Sequence, residues 1–389
     1  MRITDVKTFL VSPQRGKASG KLWLFVKLET DAGVVGWGEA YTTSDREQVT
    51  ASHVHALRPY LIGRDPFHIK HWVTMVHRDY AIRRSSLELS CAVSATEQAM
   101  WDIMGQALGV PVHALLGGPV RPRIRVYANG WGGGASTPEH LAEQARAVVA
   151  RGFTALKFDP FPGRWRLFID RQEEELAVER VRAVREAVGP EVDVLVEVHR
   201  RLAPMHAVRV ARLMEPYAPF WYEEPVPAES TAALAEVRQA INLPVVTGET
   251  LTTKAEFLPI LEARAADILN PDICCCGIME LREIAAMAEP YLVAVAPHNY
   301  NSTVLGLAAT LHLAACLPNF VIAEYFVNFA EAPATRAILT TPPFELVDGH
   351  IPLPTAPGLG QALSEEALRA WTADERAPRS LPTANEERW

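Results

Sequence analysis

After Gly118 the chain repeats one phrase eight times: a short apolar run, then a longer amphipathic stretch. The runs fall at 124–127, 155–158, 194–198, 221–223, 245–247, 268–270, 292–295 and 321–323. Strands this short, each followed by a helix-length connection, make a parallel sheet, because parallel neighbours need a long crossover between them. Between the first two strands the helix is well marked, with Thr137 as N-cap, Pro138 at the first helical position and Gly152 at its end. Eight such units predict closure into a (β/α)8, TIM-like barrel. An open doubly wound sheet is the rival, and no Gly-x-Gly-x-x-Gly or Walker-type loop follows any strand.

A barrel takes about 250 residues, and this chain has 389, so a smaller partner domain is required. Residues 1–118 supply it. Segments 3–11 and 22–29 are rich in β-formers, and the turn Thr30-Asp31-Ala32-Gly33 leads into 34–40, which predicts an antiparallel meander. From 47 to 116 the apolar spacing is helical; Ser94-Ala95-Thr96-Glu97 reads as a helix start, and Gly117-Gly118 ends the run. The first domain is therefore α+β, and the barrel occupies 119–340. The Pro- and Gly-rich stretch 341–360 marks the barrel's exit, and the segment 341–389 ends in a polar tail expected to be loosely ordered.

With 49% hydrophobic and 22% charged residues the chain can bury a core without disulfides. Its five cysteines form no Cys-x-x-Cys pair, three of them being consecutive at Cys274, Cys275 and Cys276, which suits a reducing cytoplasm. The net charge of −8 opposes nucleic acid and anionic membranes as partners. No apolar signal core or membrane-length run is present in the sequence. An anionic small-molecule substrate would need a local cation.

Catalytic side chains of such a barrel stand at the C-terminal ends of its strands. Glu197 ends the third strand, Glu223 the fourth, and Glu249 follows the fifth, each 26 residues after the one before. Equal steps of one βα unit set three carboxylates side by side on one rim, an oxygen set that a hard divalent cation such as Mg²⁺ takes. Glu224 could exchange roles with Glu223; the even register favours Glu223. Asp272 follows the sixth strand and His298 the seventh, where an Asp can orient an imidazole as a general base. His199, two residues past Glu197, points to the same side as that ligand and offers a second acid or base. Lys157 ends the second strand, where its ammonium can hold a substrate carboxylate.

These residues in this order resemble the enolase superfamily, in particular its mandelate racemase subgroup, over essentially the whole chain. Gly36-Trp37-Gly38-Glu39 and Trp101-Asp102-Ile103 look like that family's N-terminal capping domain. The resemblance implies a capped barrel whose cap is completed by the C-terminal segment, Mg²⁺ bound by Glu197, Glu223 and Glu249, an Asp272–His298 dyad, and Glu324 on the eighth strand bonding the substrate carboxylate. It also implies a homo-oligomer. Two departures stand out. Asp159 occupies the place of the second lysine of the racemases' Lys-x-Lys, and Glu197 replaces the usual Asp of the first ligand. Glu197-x-His199, Glu223-Glu224-Pro225 and Pro297-His298 look most like the galactonate and gluconate dehydratase branch. Mapped here, His298 takes the C2 proton of a sugar acid, Mg²⁺ and Lys157 hold the ene-diolate, and His199 protonates the departing C3 hydroxyl, leaving a 2-keto-3-deoxy acid. The alternatives are an epimerase or cycloisomerase with His298 and His199 on opposite faces of C2, and a degenerate barrel kept for binding.

Other features weigh less. His53-Val54-His55 lies in a helical stretch of the first domain and not on a barrel's first strand, and His68 and His71, three apart on an expected helix, read as surface histidines. The three consecutive cysteines read as packing. Trp131, with Gly132 to Gly134, is expected in the pocket's wall. The loop 13–21, with Arg15, Lys17 and Lys21, resembles the cap loop that closes over substrates in this superfamily, which makes Arg15 a candidate substrate contact.

Overall fold

The computed structural model describes residues 1–13, 21–161, 166–300 and 302–373. Arg15, Lys17 and the tail beyond residue 373 lie outside the described residues. Gly33 takes φ 77°, a backbone that a side chain resists, and its N–H donates to Thr30 O at 3.1 Å. That turn joins β2 (Trp23–Thr30) to β3 (Val35–Ala40), and β1 (Ile3–Val11) pairs with β2 to complete a three-stranded antiparallel sheet.

Helices α1 (Glu47–Leu61), α2 (Ile69–Met75) and α3 (Leu87–Leu108) follow. The third begins ahead of the expected Ser94: Ser86 caps it, its Oγ accepting from Leu89 N at 3.2 Å. Ser94 is inside the helix, and its hydroxyl donates instead to Ile273 O of the barrel at 2.6 Å. A tertiary partner thus satisfies a hydroxyl that a local reading assigns to a cap. The phrase Gly36-Trp37-Gly38-Glu39 has a packing cause. A Cβ at Gly36 would come within 2.1 Å of Ala99 O, and one at Gly38 within 1.9 Å of Ala95 O, so only glycine lets β3 lie directly on α3.

The second sheet is parallel and runs in the spatial order β10-β9-β8-β7-β6-β5-β4-β11. Its strands are β4 (Arg123–Asn129), β5 (Ala155–Phe158), β6 (Asp193–Glu197), β7 (Trp221–Glu223), β8 (Val245–Thr247), β9 (Ile268–Leu269), β10 (Ala294–Val295) and β11 (Ala323–Phe326). The ring closes where Val295 N donates to Asn319 O at 2.9 Å and Val321 N donates to Val295 O at 3.0 Å. Seven strands are followed by helices of nine residues or more, whereas β11 is followed only by Val327–Ala330 and Pro333–Ile338. Two strands start two residues later than expected. Leu292 takes φ 62° and is 92% exposed as it leaves a 3₁₀ turn, so β10 begins later. The eighth strand starts at Ala323, which carries Glu324 into the strand itself.

β12 (His350–Pro352) pairs antiparallel with the start of β4, and the chain then runs back to the first sheet. Asp102 ties the two together: Oδ2 accepts from Trp37 N at 3.0 Å and Oδ1 from Leu359 N at 2.8 Å. Phe9, Val11, Trp23, Phe25 and Trp37 bury against Leu305, Ile338, Leu363 and Leu368, and Ser12 N donates to Trp371 O at 3.0 Å. Among the described residues no helix is long and apolar enough to cross a membrane.

Candidate active site

Strand-end carboxylates meet because β6, β7 and β8 are adjacent in the ring and in register. Glu197 pairs with Glu223 across β6 and β7, and Glu197, Glu223 and Glu249 each offer an oxygen within 4.8 Å of the others. Burial and the neighbouring Glu197 carboxylate push the Glu223 carboxyl well above its ordinary range. Its Oε1 accepts from Lys157 Nζ at 2.7 Å and Asn270 Nδ2 at 2.9 Å, while the buried Oε2 has no hydrogen-bond partner among the described residues. Three convergent carboxylates, one with an orphaned buried oxygen, fit a divalent cation. Glu224 turns elsewhere: its Oε1 accepts from Thr247 Oγ1 at 3.1 Å and Gly248 N at 2.8 Å.

Lys157 is 2% exposed, with its Nζ 2.7 Å from Glu223, 3.4 Å from Glu197 and 3.6 Å from Glu324. Burial disfavours its charge, but Glu223 and Glu324 outweigh that and hold it well above the usual lysine range. Glu324 is fully buried between this ammonium and His298. Its Oε1 accepts from Asn129 Nδ2 and its Oε2 from Asn299 N at 2.8 Å.

His298 Nδ1 sits 2.7 Å from Asp272 Oδ2, which leaves Nε2 facing Glu249 Oε2 at 3.2 Å. Asp272 is held in turn, since its Oδ1 caps the next helix by accepting from Cys274 N at 2.7 Å. Burial works against a charged imidazole, yet Glu324, Glu249 and the Asp272 hydrogen bond raise His298 to about 9. Glu249 answers in kind: burial opposes its charge, but His298 and Arg200 hold it well below the usual carboxylate range. Arg200 forms an ion pair with Glu249.

His199 stands at the other end of the trio, its backbone N–H donating to Glu197 Oε1 at 2.7 Å. Its Nδ1 is 2.8 Å from Asp159 Oδ2. Burial lowers the imidazole's affinity for a second proton, while Glu197 and Asp159 raise it further, with a net upward shift.

Lys157, Asp159, Glu197, His199, Arg200, Glu249 and His298 line one cavity of about 650 Å³, with Glu223, Glu324 and Asp272 buried behind them. The first domain supplies its far wall. Tyr41, just past β3, and Lys21 reach in, with Lys21 Nζ 3.2 Å from Tyr41 Oη and 4.0 Å from the Tyr300 ring centroid. Desolvation lowers Lys21 to about 8. Of the residues expected here, Trp131 is displaced. It packs on Phe158 at 5.7 Å between ring centroids, donates Nε1 to Lys157 O at 2.8 Å, and does not line the cavity, whose wall there is Asn129 and Gly130. Of the cysteines, buried Cys275 lines the cavity, and all five are free thiols.

The sequence reading missed Asn129, Tyr41, Tyr300 and Asp159 as lining or site-facing residues. Asp159 had a signal, since period 2 along β5 puts it on the side of Lys157. Another missed group is Glu39. Its carboxylate accepts from Thr303 N at 2.8 Å, Thr303 Oγ1 at 2.9 Å and Gly306 N at 2.9 Å, and so caps the barrel helix Val304–Cys316, which follows His298.

A parallel barrel whose rim brings together three carboxylates that could hold a metal ion, a buried lysine among them and an Asp–His pair alongside is the architecture of an enzyme. Residues 140–367 match the enolase C-terminal domain-like family, and residues 6–117 match the mandelate racemase/muconate lactonizing enzyme N-terminal domain. The chain belongs to this family of the enolase superfamily. It is 36% identical over 368 residues to a D-gluconate dehydratase of Thermoproteus tenax, covering 94% of this chain and 72% of that one. It is 34% identical over 383 residues to a D-galactonate dehydratase of Xanthomonas oryzae pv. oryzae, covering 97% and 96%. Among solved structures it superimposes with a TM-score of 0.88 on a mandelate racemase/muconate lactonizing enzyme-like protein from Roseovarius sp. TM1035, at 35% identity over 99% of each chain.

Proposed function

We propose that this protein is a Mg²⁺-dependent hydro-lyase that dehydrates an aldonate-type sugar acid to the 2-keto-3-deoxy acid, with residues 119–340 as the catalytic barrel under a cap formed by 1–118 and the C-terminal segment. The observation that carries this reading is a pair of carboxylate-tethered histidines facing one cavity from opposite ends of the carboxylate trio. Dehydration needs such a pair, a base for the C2 proton and an acid for the C3 hydroxyl. The names of the two relatives support the sugar acid as substrate class.

Glu197, Glu223 and Glu249 would hold the cation, which when bound offsets the negative charge that grows on the substrate carboxylate as C2 loses its proton. Lys157 adds a second positive charge at the same place. His298 Nε2, the ring nitrogen left free by Asp272, accepts the C2 proton. The electron pair then returns through C2 to C3, the C3–O bond breaks, and His199 donates a proton to the departing hydroxide. Water leaves, and the enol tautomerises to the ketone. Racemisation is the weaker reading, because Asp159, where racemases carry a lysine, is engaged by Phe161 N, Arg201 and His199.

The test is incubation with a panel of acid sugars that includes D-gluconate and D-galactonate, with detection of a 2-keto product, in chelator and again with Mg²⁺ restored. Product that depends on Mg²⁺ is expected. His298→Asn should lose both product and exchange of the C2 proton with D₂O, while His199→Asn should lose product and keep exchange. Full turnover in chelator, an epimer as sole product, or no reaction with any acid sugar would overturn the proposal.

A further inference from the structure

His199 is placed by an unusual backbone. It and Arg200 both take left-handed conformations, φ 57° and 62°, which non-glycine residues rarely adopt, let alone in succession. The turn is pinned on both sides by the end of β7 and the residue after it: Val198 N donates to Glu223 O at 3.0 Å, and Arg200 N to Glu224 O at 2.7 Å. Its effect is to carry the imidazole from the end of β6 back over the end of β5, where Asp159 waits.

Asp159 is itself held from three directions. Its Oδ1 accepts from Phe161 N at 2.9 Å; its Oδ2 faces both His199 Nδ1 at 2.8 Å and the Arg201 guanidinium. Arg201 is 4% exposed and further fixed by its Nε donating to Val198 O at 2.8 Å. A carboxylate with donors on both oxygens, three in all, is held against swinging to follow substrate. The His199 side chain, by contrast, is 35% open, and both residues border the cavity.

On the reading of the site given above, we infer that Asp159 is a positioning residue for the acid step: it binds His199 Nδ1–H and so aims Nε2–H at the departing C3 hydroxyl. In that step the Nε2–H bond breaks, the proton joins the hydroxyl oxygen, the C3–O pair leaves with the water formed, and His199 remains neutral with Nδ1–H still on Asp159. The site then holds two carboxylate–histidine pairs with divided labour, Asp272–His298 for removing a proton and Asp159–His199 for delivering one. A lysine at position 159 would remove the acceptor on which the second pair depends.

The test compares wild type, Asp159→Asn, His199→Asn and the double variant on D-gluconate, D-galactonate and their 3-deoxy-3-fluoro analogues. Fluoride leaves with little help from a proton, so the analogue bypasses the acid. Asp159→Asn should slow product formation from the hydroxy acid by about 10²-fold or more, keep C2 exchange within about threefold of wild type, and lose far less on the fluoro analogue. The double variant should fall no further than His199→Asn alone, because the two residues act as one unit. Equal losses on both substrates, loss of exchange in Asp159→Asn, or multiplied losses in the double variant would assign Asp159 a purely structural part and overturn the inference. If wild type acts on none of these acids, the functional reading fails by itself. Nitrogen-15 spectra of the His199 ring then decide the positioning: a proton on Nδ1 that is lost in Asp159→Asn supports it, and an unprotonated Nδ1 in wild type refutes it.

Discussion

Lys157→Met removes a charge from the most crowded part of the molecule. Glu197, Glu223 and Glu249 present oxygens within 4.8 Å of one another, and at an effective dielectric of ~20 each like-charged pair at that separation repels by roughly 3.5 kcal/mol. The Lys157 ammonium, 2.7, 3.4 and 3.6 Å from Glu223, Glu197 and Glu324, offsets much of this. Deleting one member of a buried ion pair typically costs about 3–5 kcal/mol, since its partners stay buried and uncompensated. In chelator the variant should therefore lose about that much stability in urea unfolding followed by circular dichroism. With saturating Mg²⁺ the loss should shrink by about half or more, because a cation bound by the same carboxylates takes over the neutralisation and stabilises the folded state by mass action. Methionine matches the lysine stem in bulk, so packing contributes little to the difference. An identical loss with and without Mg²⁺ would refute the claim that Lys157 and the cation answer the same charge.

Glu223→Gln should weaken Mg²⁺ binding in calorimetric titration more than Glu224→Gln, because Glu223 is the one that converges with Glu197 and Glu249; the reverse order would exchange their roles. Burial raises Glu97 from 4.5 to about 8, so the folded state keeps its proton, and this stability is complete below about pH 4.5 and is lost as pH rises through about 8. Glu97→Gln, which mimics the protonated acid, should thus gain on wild type by about 1.4 kcal/mol per pH unit across that window; denaturation series showing a pH-independent difference would refute it. Gly38→Ala should cost about 1–3 kcal/mol, measured the same way, as its Cβ meets Ala95 O at 1.9 Å; a neutral effect would mean that α3 can move away from β3.

What the sequence determined by itself are the features that recur locally. The strand–helix alternation, the 26-residue steps of Glu197, Glu223 and Glu249, and the turn at Gly33 are legible because period and spacing depend on neighbours along the chain. The Asp272–His298 contact was legible for a similar reason, as adjacent strands of a parallel barrel bring consecutive strand ends together. The tertiary structure alone decided whatever depends on partners distant in sequence. Ser94 became an interior helix residue because Ile273 supplies its hydrogen-bond partner. Trp131 turned from the cavity because the Lys157 carbonyl accepts its N–H. Glu39, still paired within β3, sends its carboxylate across to cap the helix after His298. The clearest case is Asp159, whose spacing along β5 puts it on the side of Lys157 but names no partner for it. Its carboxylate meets His199 because two consecutive residues adopt left-handed backbones, and hydrogen bonds to the end of β7 and the residue after it hold that local conformation against its intrinsic cost.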